Sequence, residues 1–244
     1  MIEVQSVSKQ FRHITAVDQL SFTVLPGEVV GLLGENGAGK TTTMRMMATV
    51  LQPTKGSISI DGCCVSTQPL EVRKRIGILF GGDVGLYSRL SARENIAYFG
   101  KLYGMDDRQL AGRMERLSRM LGMEEFMDRK VGAFSRGMKQ KVAIARALVH
   151  DPPVILLDEP TTGLDVTSAS VFRDLIKEMK REGKTILFSS HNMGEVEKLC
   201  QRVIIMHKGK LRFEGTIADL RKQFGMEDLD EIFIRATKEG GGVE

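Results

Sequence analysis

Eight residues constrain this chain more than any others: Gly34-Glu35-Asn36-Gly37-Ala38-Gly39-Lys40-Thr41. Their spacing is G-x-x-x-x-G-K-[ST]. An apolar run, Glu28–Leu33, leads into them, and such a run suits a strand buried on both faces. A helix is expected over Thr41–Val50, stopped by Pro53. A glycine-rich loop set between a strand and a helix is a phosphate cradle. Glycines let the backbone curl around phosphate oxygens without Cβ clashes. The N–H groups of Gly37 to Thr41 would point inward, and the helix N-terminus adds positive potential. Lys40 has the reach for β- and γ-phosphates, and the Thr41 hydroxyl is a hard oxygen ligand suited to Mg²⁺. The competing reading, a merely flexible turn, does not account for the strand and helix on either side.

The rest of the chain must supply a fold around that loop. Strands are expected at Ile2–Val7, at Leu20–Leu25 (broken by Pro26-Gly27) and over Ser57–Asp61. Residues from about 91 to 131 carry no strand signal. There Leu110, Met114, Leu117, Met120 and Leu121 recur at helical spacing, a stripe that reads as core packing. This segment is expected to be a helical subdomain inserted into an α/β core. Alternation then resumes with helix Gly137–Val149, strand Val154–Leu157, helix Val171–Arg181 and strand Thr185–Ser189. Arg202–Met206 and Lys210–Phe213 read as a hairpin about Lys208-Gly209. A short amphipathic helix around Leu229, Ile232 and Phe233 precedes a loose Gly240-Gly241-Gly242 tail. Strands alternating with helices imply a largely parallel sheet.

Composition excludes several classes. The 244 residues are enough for one large domain or two small ones, and 42% hydrophobic with 27% charged residues is ordinary for a globular protein. The 35 basic and 31 acidic residues leave a formal charge of +4, too mild to demand nucleic acid. The longest basic block, Arg73-Lys74-Arg75, reads as a solvated helix face. No apolar run reaches 18 residues, the length a membrane span needs. The opening MIEVQSVSKQF lacks the apolar stretch of a signal peptide. Cys63, Cys64 and Cys200 form no CxxC pair and are expected to be reduced, mostly structural thiols.

A second chemical feature is Val154-Ile155-Leu156-Leu157-Asp158-Glu159, four apolar residues followed by two carboxylates. Parallel sheets bind ligands at the carboxyl ends of their strands. Asp158 is therefore expected beside the phosphate loop, holding Mg²⁺ through its water shell. Glu159 is placed to polarise a water for in-line attack on a γ-phosphate. Acids after a strand are also ordinary turn residues, and the upstream loop is what favours the chemical reading. His191, after strand Thr185–Ser189, can hydrogen-bond the γ-phosphate or orient the attacking water. Its bland alternative is a solvent-facing histidine.

Taken with Phe134-Ser135-Arg136-Gly137-Met138 and the helix Lys139–Leu148 that follows, these motifs resemble the ATP-binding subunits of ABC transporters. The resemblance covers nearly the whole chain, in the family's motif order. It implies a P-loop NTPase α/β core of mostly parallel sheet, with an N-terminal antiparallel β subdomain and an inserted helical subdomain at about 84–150. Residues 1–244 would then form one ATP-binding domain, with a short C-terminal extension at about 215–244. The resemblance further implies ATP contacts at Phe11, Gly34, Asn36, Gly37, Ala38, Gly39, Lys40, Thr41 and Thr42. Phe11 would stack on adenine, Thr41 and Asp158 would hold the metal, Glu159 and His191 would be catalytic, and Gly163-Leu164-Asp165 would be the D-loop. Two such domains, identical or paired, would sandwich two ATP molecules head to tail, with Ser135 and Gly137 of one facing the phosphate loop of the other.

Two positions depart from the family signature: Arg136 stands for the usual glycine and Met138 for glutamine. A third departure is larger. The glutamine expected after Ile76-Gly77-Ile78-Leu79-Phe80 is replaced by Gly81-Gly82-Asp83, and Asp83 is the candidate substitute in the metal shell. With Gly85–Asn95, these departures make the chain most similar to the sodium-extruding (NatA-type) branch of ABC exporters; other relatives carry drugs, peptides or polysaccharides. The resemblance implies an integral membrane partner, no nucleic acid, and a place on the cytoplasmic face of the membrane for a subunit that is soluble when isolated. Leu86, Tyr87, Leu90, Tyr98 and Phe99 are the candidate exposed contacts for that partner. A soluble ABC protein acting on nucleic acid or ribosomes would be expected to show two motif sets or sustained heptads. A P-loop kinase would have no need of a second phosphate-facing Ser-x-Gly.

Overall fold

The computed structural model describes residues 1–81, 85–162 and 165–238. Asp83 and the Gly163-Leu164 part of the expected D-loop lie outside the described residues, as does the Gly240–Gly242 tail.

The chain opens with antiparallel strands β1 (Ile2–Phe11) and β2 (Ile14–Val24) and then crosses to β3 (Val29–Leu33). Helix α1 (Lys40–Met47) follows the glycine loop, and β4 (Lys55–Ile60) and the short β5 (Cys63–Cys64) return to the first sheet. That sheet has strand order β2-β1-β4-β5 and antiparallel pairing. Helix α2 (Pro69–Arg75) leads into β6 (Ile76–Leu79). Its last turn carries Arg73, Lys74 and Arg75, the basic triplet expected on a helix face.

The helical region contains α3 (Ala92–Leu102), α4 (Asp107–Leu121) and α5 (Arg136–Leu148). Local chemistry sets their ends. Ser91 and Glu94 form a reciprocal capping box on α3. The Asp106 carboxylate accepts the Gln109 N–H to start α4, and Gly122 ends it in the left-handed conformation. Leu110, Met114, Leu117 and Leu121 of the apolar stripe are buried, and Met120 packs beside them.

Strand β7 (Val154–Asp158), helix α6 (Val166–Arg181), strand β8 (Thr185–Ser190) and helix α7 (Met193–Leu199) continue the alternation. The hairpin β9 (Arg202–His207) and β10 (Lys210–Thr216) precedes α8 (Ile217–Phe224) and α9 (Leu229–Lys238). Helix α6 starts five residues earlier than its apolar pattern suggests, because Asp165 caps it by accepting the Ser168 N–H at 2.7 Å. Helices α7 and α8 are additions to the sequence reading; Asn192 caps the first, and Thr216 with Asp219 forms a capping box on the second.

The large sheet has order β10-β9-β3-β8-β7-β6, parallel throughout except for the β9–β10 hairpin. Its central strands are buried on both faces. Val29, Leu33, Ile155, Leu157, Ile186 and Phe188 join one apolar cluster with the helices. The intervening Val30, Leu32, Val154, Leu156 and Leu187 join another with β1, β2, β4 and α1. The alternation of strand side chains thus cements a helical layer to one face and the antiparallel sheet to the other.

One expectation about exposure is corrected. Of the candidate partner contacts, only Tyr87 and Tyr98 are exposed; they meet edge to face with centroids 5.6 Å apart. Leu86, Leu90 and Phe99 are half-buried, and Leu86 and Phe99 pack on the core, with the Arg146 guanidinium 4.6 Å over the Phe99 ring. The packing of α3 against α5 draws the Phe99 ring inward.

His150, just beyond α5, joins the helical layer to the sheet. Its Nε2–H donates to the Ile76 carbonyl at 3.0 Å, and its ring stacks on Tyr103 with centroids 3.6 Å apart. Nδ1 is buried without a hydrogen-bond partner. Burial is the main reason its pKa falls from 6.5 to about 4; the Ile76 bond and Asp151 oppose the shift, while Arg113 and Lys184 add to it. The unfolded chain therefore takes up a proton below pH 6.5 that the folded chain refuses until about pH 4, so stability falls with pH across that window. Urea unfolding at pH 7 and pH 5 should show a loss of up to about 2 kcal/mol, and His150→Gln should reduce that loss.

Candidate active site

The carboxyl ends of β3, β8 and β7 lie side by side. β3 delivers the glycine loop, β7 delivers Asp158 and Glu159, and β8 between them delivers Ser189 and Ser190, followed by His191. The order β3-β8-β7 explains how residues far apart in the chain converge on one edge of the sheet.

The loop is shaped by its own neighbours. A Cβ on Gly34 would stand 2.6 Å from the Met206 carbonyl oxygen and 2.8 Å from the Ala38 Cβ. Gly39 has φ 102°, and a Cβ there would stand 2.7 Å from the Ala16 carbonyl oxygen. Both glycines are thus required by close backbone approach within the protein, quite apart from any ligand. Lys40 is buried, and its Nζ donates to the carbonyls of Gly34 at 2.6 Å and Glu35 at 3.1 Å. Burial holds its pKa below the usual lysine value, against the raising effect of Glu159 and Asp158.

A line of hydrogen bonds joins the strand ends. The Thr41 hydroxyl donates to Asp158 Oδ2 at 2.7 Å, and the Ser189 hydroxyl donates to Asp158 Oδ1 at 2.6 Å. Ser189 Oγ also accepts the Glu159 N–H at 2.9 Å. The Glu159 carboxylate accepts from the Thr162 hydroxyl at 3.2 Å and lies 3.2 Å from His191 Nδ1. Thr41 and Asp158 present adjacent hard oxygens, a donor set suited to a divalent cation that keeps water and phosphate ligands.

A cleft of about 370 Å³ is lined by Phe11, Ala16, residues 35–42 and Glu159. It gathers Phe11, Asn36, Gly37, Ala38, Gly39, Lys40, Thr41, Thr42 and Glu159 from the sequence-based set; Gly34 touches it through Lys40. Phe11 is 42% exposed rather than a core residue, and Lys9 Nζ stands 5.0 Å over its ring. Glu159 also borders a neighbouring hollow of about 480 Å³, with Asp165 and His191 on its wall.

Ser135 and Gly137 do not line the cleft. Ser135 is the exposed N-cap of α5, its oxygen accepting the Met138 N–H at 3.3 Å, which leaves its O–H able to donate outward. Arg136 is exposed at the first position of α5, and Met138 packs on the core. Sequence reasoning missed Ser189, which bridges Asp158 and Glu159. It also missed Gln140, Thr161 and Glu195, which hold the segment after β7. A serine near a strand end carries no motif, so only the pairing of Asp158 with Ser189 across β7 and β8 reveals it.

Comparisons with known proteins point to one family. The family model described as ABC transporter matches residues 17–162. The ABC transporter ATP-binding protein NatA of Bacillus subtilis (strain 168) is 51% identical over 98% of this chain and 99% of its own length. A solved ATP-binding subunit of an ABC transporter superposes with TM-score 0.91 at 32% identity, covering 98% of this chain and 100% of that one. The dimeric post-hydrolysis state of an ATP-binding cassette bound to ADP and Pi superposes with TM-score 0.81 at 27% identity, over 89% of this chain and 99% of that one.

The tight packing of Gly34 can be tested against an open glycine. Gly34→Ala should lower stability by about 1–3 kcal/mol and weaken ATP binding. Gly112→Ala, inside α4 with nothing within 4 Å of the new Cβ, should raise stability by up to about 1 kcal/mol. Thermal unfolding and nucleotide titration of both variants check this.

Proposed function

The chain belongs to the ABC transporter family as an ATP-binding, ATP-hydrolysing subunit, and from that premise we propose that two copies close around two ATP molecules to drive export through a separate membrane subunit, with sodium as the cargo. The observation that carries the reading is the convergence of Lys40, Thr41, Asp158, Glu159 and His191 on adjoining strand ends. Phe11 offers a half-open ring to the adenine at the rim of the same cleft.

In this reading the loop N–H groups and the Lys40 ammonium hold the β- and γ-phosphates. Thr41 and Asp158 would hold Mg²⁺, which would neutralise charge on the phosphate oxygens. The Glu159 carboxylate accepts a proton from the water that attacks the γ-phosphorus, and ADP departs as the leaving group. His191, beside the Glu159 carboxylate, orients that water and the γ-phosphate. Ser135 and the Gly137 N–H lie outside the chain's own cleft, on an exposed helix start, and so suit the γ-phosphate of a second copy. The pair is a differential-binding device: ATP favours the closed state, and hydrolysis removes the preference.

The membrane subunit is proposed to dock on the face marked by the exposed Tyr87 and Tyr98, which puts the chain on the cytoplasmic face of the membrane. No helix among the described residues is long and apolar enough to cross a membrane. Sodium as cargo rests on the resemblance to the sodium-extruding branch, supported by the high identity to a relative named NatA.

Glu159→Gln should keep ATP affinity, lose turnover by about 100-fold or more, and accumulate an ATP-dependent dimer in gel filtration. A fast-hydrolysing monomer would reject the proposed base. Lys40→Ala should lose nucleotide binding itself. For the cargo, vesicles reconstituted with this chain and its membrane partner should move labelled sodium when ATP is supplied. ATP-driven flux of an organic solute without sodium flux would reject that cargo.

A further inference from the structure

The segment Glu159-Pro160-Thr161 is gripped residue by residue, from three different elements. Glu159 has φ 48°, in the left-handed region that residues with a side chain avoid. Such a conformation persists only where its surroundings over-determine it. The Ser189 hydroxyl oxygen accepts its N–H. The next residue, Pro160, has no N–H to offer, and its carbonyl accepts a 2.7 Å hydrogen bond from Gln140 Nε2. The third, Thr161, donates its hydroxyl to Glu195 Oε2 at 2.5 Å. Gln140 and Glu195 are both buried. A buried amide and a buried carboxylate are costly unless paired, and each spends a hydrogen bond on this segment.

Their positions in the fold give these bonds a second meaning. Gln140 lies one turn into α5, the helix capped by Ser135. Glu195 lies in the first turn of α7, the helix that follows His191, and its own N–H donates to the Asn192 cap at 3.3 Å. One grip therefore holds Pro160, the residue after Glu159, from the helix that presents Ser135. The other holds Thr161 from α7, the helix that follows His191.

We propose that Gln140 and Glu195 are positioning residues that fix the carboxylate of Glu159 for water activation and tie its segment to the Ser135-bearing helix and the helix that follows His191. The proposal rests on the reading of Glu159 as the base. It assigns no contact between Gln140 or Glu195 and the nucleotide. Removing either grip frees Glu159 to relax from its strained backbone state, and the cost falls on the chemical step. Misplacing a reacting group by an ångström costs up to about 100-fold in rate.

The test uses the full chain with Gln140→Leu, Thr161→Val, Glu195→Leu and Glu195→Gln. Steady-state ATPase, ATP binding and thermal unfolding are measured for each. Gln140→Leu and Thr161→Val should lower kcat by about 10- to 100-fold while KM for ATP changes by less than about threefold. Glu195→Leu should behave likewise, and Glu195→Gln, whose amide oxygen still accepts from Thr161, should restore most of the rate. Placed in a Glu159→Gln background, Gln140→Leu should cause almost no further loss, because the group it positions is already gone. Wild-type kcat in folded Gln140→Leu and Thr161→Val would overturn the proposal, as would the same fold-loss in the Glu159→Gln background. Should Gln140→Leu fail to fold, Thr161→Val and the Glu195 pair decide the matter. A Glu159→Gln protein that hydrolyses at the parent rate would instead reject the base on which the proposal rests.

Discussion

Asp158 accepts hydrogen bonds from Thr41 on one side and Ser189 on the other, and the rest of the site depends on that bridge. Its two oxygens tie the helix that begins at the glycine loop to the strand that leads into His191. Ser189 passes the constraint on to the backbone of Glu159. Asp158 and Ser189 are both buried, so the bond between them forms away from competing water. A buried polar group left unpaired there would cost about 1–3 kcal/mol. The bridge therefore sets the spacing between the phosphate cradle and the carboxylate with little freedom to drift.

That spacing is possible because the sheet beneath it is rigid. The central strands bury both faces, and their alternate side chains belong to different apolar clusters. A displacement of β7 relative to β8 would disturb both clusters at once. Burial also acts directly on the chemistry. Lys40 is held as a buried cation between two loop carbonyls, and burial depresses its pKa while Asp158 and Glu159 oppose that shift. Two carboxylates beside a buried lysine favour its charged form.

The geometry of one chain leaves Ser135 and Gly137 away from the cleft lined by the glycine loop. An exposed serine at a helix start, with its O–H able to donate outward, suits the anion that the proposed second copy would bring. That asymmetry within one chain gives the proposed paired arrangement its physical sense. The buried contact from Gln140 to Pro160 then lies on the same helix as the outward-facing serine.

Much of this was legible in the sequence. The glycine loop, the apolar run ending in Asp158-Glu159 and the Met-rich stripe on α4 each follow from local rules of spacing, polarity and backbone freedom. Those rules pointed to the residues that the proposed chemistry uses and to the strands buried on both faces. They did not reveal that Ser189 bridges the two acids, or that Gln140 and Glu195 grip the segment after β7. Nor did they reveal that Leu86 and Phe99 turn inward while Tyr87 and Tyr98 stay exposed. These depend on strand order and helix docking, which bring together residues that are distant along the chain. Local preference acts over a few neighbours, whereas the pairing of β8 between β3 and β7 is settled by how the whole apolar surface is buried.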